Sequence, residues 1–226
     1  MKQVFLLTCL LSVAISAPVG DDWSDAAGYE ECPDWVVANK TLPEPVDDIC
    51  GVKLECPDRK DVDNPDCGFG IRKVLGGKWV STNVDLNLGE KKYEKAFMSL
   101  FYYISGANAD SAKIPMTAPV LTKSYMDSSY KEVAATMHFY IPAAFQANPP
   151  TPTDSQVYIE EWDDALIYYR ALGEESPVKV WVEEYTNLAA ALQKTGKTFY
   201  PYMTVGAGFS QPGSKQQRFE AMFVAM

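Results

Sequence analysis

His138 is the only histidine in a chain of 226 residues, which narrows the chemistry available at once. One imidazole can act as a base or as a single metal ligand, but nothing around it in the sequence supplies a nucleophile. The carboxylates come in adjacent pairs, Glu160 and Glu161, Asp163 and Asp164, Glu174 and Glu175, Glu183 and Glu184. Neighbours in sequence point to different faces of a strand or helix, or sit together in a turn, so no pair is placed to share a proton. No nucleophile elbow is present, and Gly206-Ala207-Gly208 runs on toward Pro212 rather than into a helix, so it is not a dinucleotide loop. These features argue against an enzyme.

Of the five cysteines, Cys9 lies in an N-terminal apolar run, which leaves Cys32, Cys50, Cys56 and Cys67. An even number in an exported chain suggests two disulfides among three possible connectivities. None of the gaps has the two-residue spacing usual for zinc, so no structural metal is expected. Binding chemistry is better supplied. Twelve of the 13 tyrosines lie beyond residue 68, together with most of the phenylalanines, enough aromatic surface to line an apolar cleft as well as fill a core. Lys91, Lys92 and Lys95 open an expected helix, and Arg72, Lys73 and Lys78 lie on the first expected strands. Such groups could pair with ligand carboxylates at the rim of a cleft.

The front of the chain fits export. Residues 1–17 have Lys2, an apolar run from Val4 to Ile15, and small residues at Ser16 and Ala17, the layout of a signal peptide and too short for a membrane span. Asn39-Lys40-Thr41 is a glycosylation sequon. Residues 18–67 hold 14 Asp and Glu against 4 Lys and Arg, whereas the formal charge of the whole chain is −10. Segment 18–68 therefore reads as an acidic, disulfide-stapled extension, and 69–226 as the folded domain. The overall acidity excludes the basic stripe that nucleic-acid binding needs.

In the folded region, Phe69 to Leu75 and Lys78 to Asp85 read as strands, with Gly76-Gly77 between them as a hairpin signal. Tyr93, Phe97, Leu100, Phe101 and Ile104 form one apolar stripe of a helix that Gly106 stops. Next comes Lys113-Ile114-Pro115-Met116-Thr117-Ala118-Pro119-Val120, whose alternation predicts an edge strand with Ile114, Met116, Ala118 and Val120 facing the core. In Ala134 to Ile141, His138 shares a face with Thr136 and Tyr140, opposite Met137 and Phe139, and is expected to face solvent.

The second half repeats the order. Gln156 to Trp162 and Asp164 to Leu172 are strands. A helix begins at Ser176 with the stripe Val178, Trp181, Val182, Tyr185, Leu188, Ala189 and Leu192, and Gly196 ends it. Phe199 to Val205 and Arg218 to Ala225 are the last strands. The expected fold is α+β: a distorted antiparallel β-barrel of about eight strands with two α-helices, built from two strand-strand-helix-strand-strand halves.

The octapeptide Lys113 to Val120 resembles the signature of the SOUL haem-binding protein family. Further matching stretches are Gly77 to Thr82, Tyr103 to Asn108, Tyr140 to Pro152, Gly196 to Phe199 and Ala207 to Pro212. The resemblance spans roughly residues 70–226 and is nearest the haem-binding protein 2 branch. It implies the same barrel flanked by two helices, and a small-molecule tetrapyrrole, haem or another porphyrin, as ligand. Where one branch of the family has a histidine ligand this chain has Lys73, and Glu94 stands where an arginine would help neutralise a propionate. Members lacking the histidine are pictured as holding the macrocycle by apolar contacts, which here implies Phe97 and Phe101 on the first helix and Val205 and Phe209 near the last hairpin, with Lys91 for a propionate. His138 is left as a minor candidate for an iron ligand. The other reading is an exported interaction protein of the same fold that has lost haem binding, its candidate surface being Tyr185 to Lys197, which matches a stretch likened in the haem-binding protein 2 branch to a death-regulator motif.

Overall fold

The computed structural model describes residues 59–62, 69–172, 178–209 and 218–226. The four candidate disulfide cysteines, Asn39 and the signal-like segment lie outside the described residues. The strands are β1 (Arg59–Val62), β2 (Gly70–Val74), β3 (Gly77–Asn83), β4 (Val120–Met126), β5 (Glu132–Tyr140), β6 (Val157–Trp162), β7 (Ala165–Leu172), β8 (Met203–Gly208) and β9 (Phe219–Val224). The long helices are α1 (Lys92–Ile104) and α2 (Val178–Lys194). From β2 onward the expected order of strand, strand, helix, strand, strand occurs twice. Ahead of it β1, inside the segment read as an extension, pairs with β2.

Every described pairing is antiparallel, in the order β1-β2-β7-β9-β8-β4-β5-β3-β6. The order has two ends, β1 and β6, which do not pair with each other. The ladder is thus an open nine-stranded sheet, and the closed barrel expected from the sequence is not formed by it.

The expected hairpin at Gly76-Gly77 is also absent, because β2 and β3 do not pair. Instead β2 runs against β7 and β3 against β6 in one continuous register, from Gly70 opposite Tyr169 to Thr82 opposite Val157. The register is interrupted only at Leu75–Gly76 and Asp163–Asp164. Close approach is why glycine stands at 76: a Cβ there would lie 2.3 Å from the Trp162 carbonyl oxygen. The Gly76 N–H donates to Asp164 Oδ1 at 2.8 Å, and Lys73 Nζ lies 3.0 Å from Asp164 Oδ2. These two contacts, the backbone N–H first, hold the Asp164 carboxyl below its usual range.

The octapeptide around Thr117 is not a strand. Its prolines remove ladder donors, β4 begins only at Val120, and the Ile114 N–H bonds to the Ile104 carbonyl at the end of α1. Ile114, Ala118 and Val120 are buried and Met116 packs against the same cluster, as expected. The alternation ends there, since Thr117 and Pro119 are buried too. Thr117 Oγ1 donates to the Tyr140 carbonyl at 2.7 Å.

Both faces of the sheet are covered. Outside, α1 packs Ala96, Leu100, Tyr103 and Ile104 against Val80, Met137 and Phe139, while α2 packs Leu188 and Leu192 against Ile71, Tyr168 and Phe223. Removing a buried leucine from either layer would cost about 2–5 kcal/mol. The other face holds its own cluster, including Trp79, Leu121, Tyr169, Val205, Phe209 and Met222. That inner layer is possible because the sheet curls, and it decides where the charged residues of the strands end up.

Candidate functional site

His138 belongs to the inner layer and is fully buried, not solvent-facing. His138 does lie opposite Met137 and Phe139, but its face is not wet, because the curled sheet wraps a second core. Nδ1 lies 2.7 Å from Ser81 Oγ and Nε2 lies 2.9 Å from Thr136 Oγ1, so both ring nitrogens are engaged. The ring meets Trp162 edge-on with centroids 4.7 Å apart. Glu160 Oε2, which accepts from Trp162 Nε1 at 2.7 Å, is 3.8 Å from Nδ1. Burial, and secondarily the positive Lys123 nearby, hold the imidazole well below its ordinary pKa. It is a neutral core histidine with a hydroxyl against each ring nitrogen.

The basic residues expected on the first strands are also committed. Arg72 is buried against Glu220, with Nη1 2.6 Å from Oε2, and its guanidinium lies 4.0 Å from the centre of the Tyr169 ring. Arg218 Nη2 approaches the other carboxylate oxygen of Glu220 at 2.6 Å. Lys73, at the position where the resemblance would put a histidine, pairs with Asp164. Lys78 Nζ donates to the Ala147 carbonyl. The sequence signal missed was Glu220 itself: in Phe219 to Val224 it is the one charge on a face otherwise formed by Met222 and Val224, which calls for a buried partner.

Of the five expected ligand contacts, the structure brings Phe97 and Phe101 together on α1, their rings 6.1 Å apart and nearly parallel. Phe97 is half-buried against Phe139, and Phe101 is 40 % exposed. Lys91 is exposed in the 3-10 turn that leads into α1. Val205 and Phe209 lie in the inner cluster, sealed from solvent. Register puts Val120 opposite both Phe139 and Gly208, so Val205 projects from the other face of the sheet. The two pairs are not brought to one site.

A cleft of about 410 Å³ opens elsewhere, between α2 and the strand ends, with Tyr185, Phe199, Phe223 and Thr204 in its wall and Tyr130 and Val182 at its rim. Tyr185 donates its hydroxyl hydrogen to the Val205 carbonyl at 2.5 Å, and burial raises its pKa well above the ordinary value. On the same outer face, Glu132 accepts from Tyr93 and Ser124 and pairs with Lys92. Within Tyr185 to Lys197, Leu188 and Leu192 are fully buried against the sheet, while Tyr185, Ala189 and Ala190 line the cleft. Among the described residues, no three His, Cys, Asp or Glu side chains converge as a metal site, and no helix is long and apolar enough to cross a membrane.

Two strand-strand-helix-strand-strand halves thus share one antiparallel sheet, with the histidine buried and Phe97 and Phe101 paired on the surface of α1. The chain belongs to the SOUL heme-binding protein family, whose profile matches residues 54–224. It is 33% identical over 165 residues to Heme-binding protein 2 of Mus musculus, covering 70% of this chain and 80% of that one. It is 31% identical over 184 residues to Heme-binding protein 2 of Homo sapiens, covering 78% and 89%. The branch expected from the motifs is the one these relatives carry. Among solved structures, the EcmrR C-terminal domain superposes with a TM-score of 0.51 at 14% identity, over 70% of this chain and 96% of that one. At that identity the likeness speaks for the fold alone.

Proposed function

We propose that the protein is an exported, non-enzymatic tetrapyrrole carrier that holds haem or another porphyrin by apolar contact rather than through its iron. The observation that carries this reading is the state of His138: the only histidine of the chain is buried with both ring nitrogens occupied. Relatives named for haem binding supply the ligand class, and the sealed histidine directs the mode of binding away from ligation. The surface offered is the Phe97–Phe101 pair of α1, with Lys91 and Lys95 positioned near the start of the helix for carboxylates. Export is supported by the apolar run of residues 1–17, the four remaining cysteines and the sequon at Asn39.

Titration of the purified protein with haem and with iron-free protoporphyrin, followed by Soret absorbance and tryptophan quenching, tests this. The two are expected to bind within about threefold of each other. A strong preference for haem that disappears in His138→Ala would overturn the mechanism.

A further inference from the structure

We infer that the cleft between α2 and the strand ends is a separate ligand site, built for a neutral lipophilic molecule that carries a single hydroxyl or carbonyl oxygen. Its volume of about 410 Å³ lies within the range of small-molecule pockets. Phe199 and Phe223, both buried, pack with centroids 4.7 Å apart in its wall, and Val182 and Tyr130, 61% and 71% exposed, stand at its rim. Covering such walls with an apolar ligand is favourable in proportion to the area removed from water.

Charge excludes the ligand class proposed for α1. Among the described residues, none that lines the cleft is charged, and Lys91, Phe97 and Phe101 are not among them. A tetrapyrrole dicarboxylate seated here would have to lose hydration without gaining a cation from the walls. A neutral molecule meets no such cost.

One buried polar atom points to what the ligand must carry. Thr204 is 6% exposed and lines the cleft, yet its Oγ1 makes no hydrogen bond among the described residues. Its neighbour, the Tyr185 hydroxyl, gives its hydrogen to the Val205 carbonyl and is near enough to Thr204 to feel it, but not in the geometry of a hydrogen bond. A buried hydroxyl without a partner is unfavourable, and an oxygen on the ligand would accept from Thr204 where the protein offers it nothing of good geometry. One such oxygen answers Thr204, because the other polar side chains of the lining, Tyr130, Thr186 and Gln193, belong to exposed residues that water reaches, and the Tyr185 hydroxyl already donates to the Val205 carbonyl.

Retinol and retinoic acid, a neutral alcohol and its carboxylate counterpart, test the inference by fluorescence titration of the purified protein at neutral pH. Retinol is expected to bind at least about tenfold more tightly, and Thr204→Val to weaken it about fivefold. Ala190→Trp, which fills the cleft from an exposed position on α2, should abolish retinol binding and leave protoporphyrin binding unchanged. If that variant does not fold, Gln193→Trp makes the same test from the next exposed lining position. Absence of retinol binding, equal binding of the acid, or retinol binding untouched by the tryptophan would each overturn the site. Loss of both ligands in a folded tryptophan variant would overturn its separateness from α1. Failure of protoporphyrin to bind, with retinol still bound, would remove the α1 proposal and leave this one standing.

Discussion

Arg72 and Glu220 form an ion pair across 148 residues of sequence, Nη1 to Oε2 at 2.6 Å, with the side chains only 1% and 0% exposed. It ties β2 to β9 across the intervening β7, inside the curled sheet. Breaking such a pair from one side leaves a buried charge uncompensated, so Arg72→Met should cost about 3–5 kcal/mol in chemical denaturation. The double variant Arg72→Met, Glu220→Leu should recover part of that loss, although Arg218 also contacts Glu220 and would then lose that ion pair. A double variant less stable than the sum of the singles would show that the pair is not coupled as the geometry implies.

The sealed histidine makes stability depend on pH with a definite sign. In the native fold His138 stays neutral, its pKa lowered by burial and then by Lys123, while the unfolded chain takes up a proton near 6.5. Below about pH 6.5 the unfolded state therefore binds more protons, and stability falls as pH falls, by up to about 1.4 kcal/mol per unit from this one group. His138→Gln lowers overall stability but should remove this part of the slope. Comparison of unfolding free energies between about pH 7 and pH 5 checks it; equal slopes in both proteins would rule the mechanism out.

The place where the chain segments of β2–β3 and β6–β7 run side by side depends on one missing Cβ. Gly76→Ala would press a methyl against the Trp162 carbonyl oxygen at 2.3 Å, a backbone atom that cannot turn aside. A loss of about 1–3 kcal/mol is expected from overpacking alone. Gly89→Ala is the control, since nothing lies within 4 Å of its added Cβ and its cost comes only from a backbone at φ 55° and ψ −128°, which side-chain-bearing residues rarely adopt, about 1–3 kcal/mol. Thermal unfolding of the two variants separates a steric requirement from a conformational one, and a harmless Gly76→Ala would mean that the two strands separate easily.

The order of elements was legible because period 2 and period 3.6 survive in the strands and helices, and because Gly106 and Gly196, with φ of 117° and 69°, follow the helices where the stripe ends. Pairing was not legible. A Gly-Gly step between two extended runs suits a tight turn and equally suits a close crossing, and only the carbonyl of Trp162, 86 residues away, distinguishes them. The fate of His138 and Arg72 was hidden for a related reason: alternation tells which residues share a face, not whether that face is wet. The cleft could not be read at all. Its walls come from the end of β4, from α2, from Phe199, from β8 and from β9, segments that no local pattern connects.

The tetrapyrrole surface is best probed through the two phenylalanines, because they differ in what else they do. Phe101 is 40% exposed and stacks on Phe97, so Phe101→Ala removes ligand surface with little loss of core. Phe97 also meets Phe139 edge-on at 5.2 Å, so Phe97→Ala removes packing as well as ligand contact. If porphyrin lies against this helix, Phe101→Ala should weaken protoporphyrin binding by about tenfold, or 1.4 kcal/mol, while the melting temperature stays near that of the parent. Phe97→Ala should weaken binding at least as much and lower the melting temperature too. His138→Ala should leave the affinity within about threefold, because the imidazole never reaches the iron. Porphyrin affinity that is indifferent to Phe101→Ala in a folded protein would move the ligand off α1, whatever the behaviour of the other two variants.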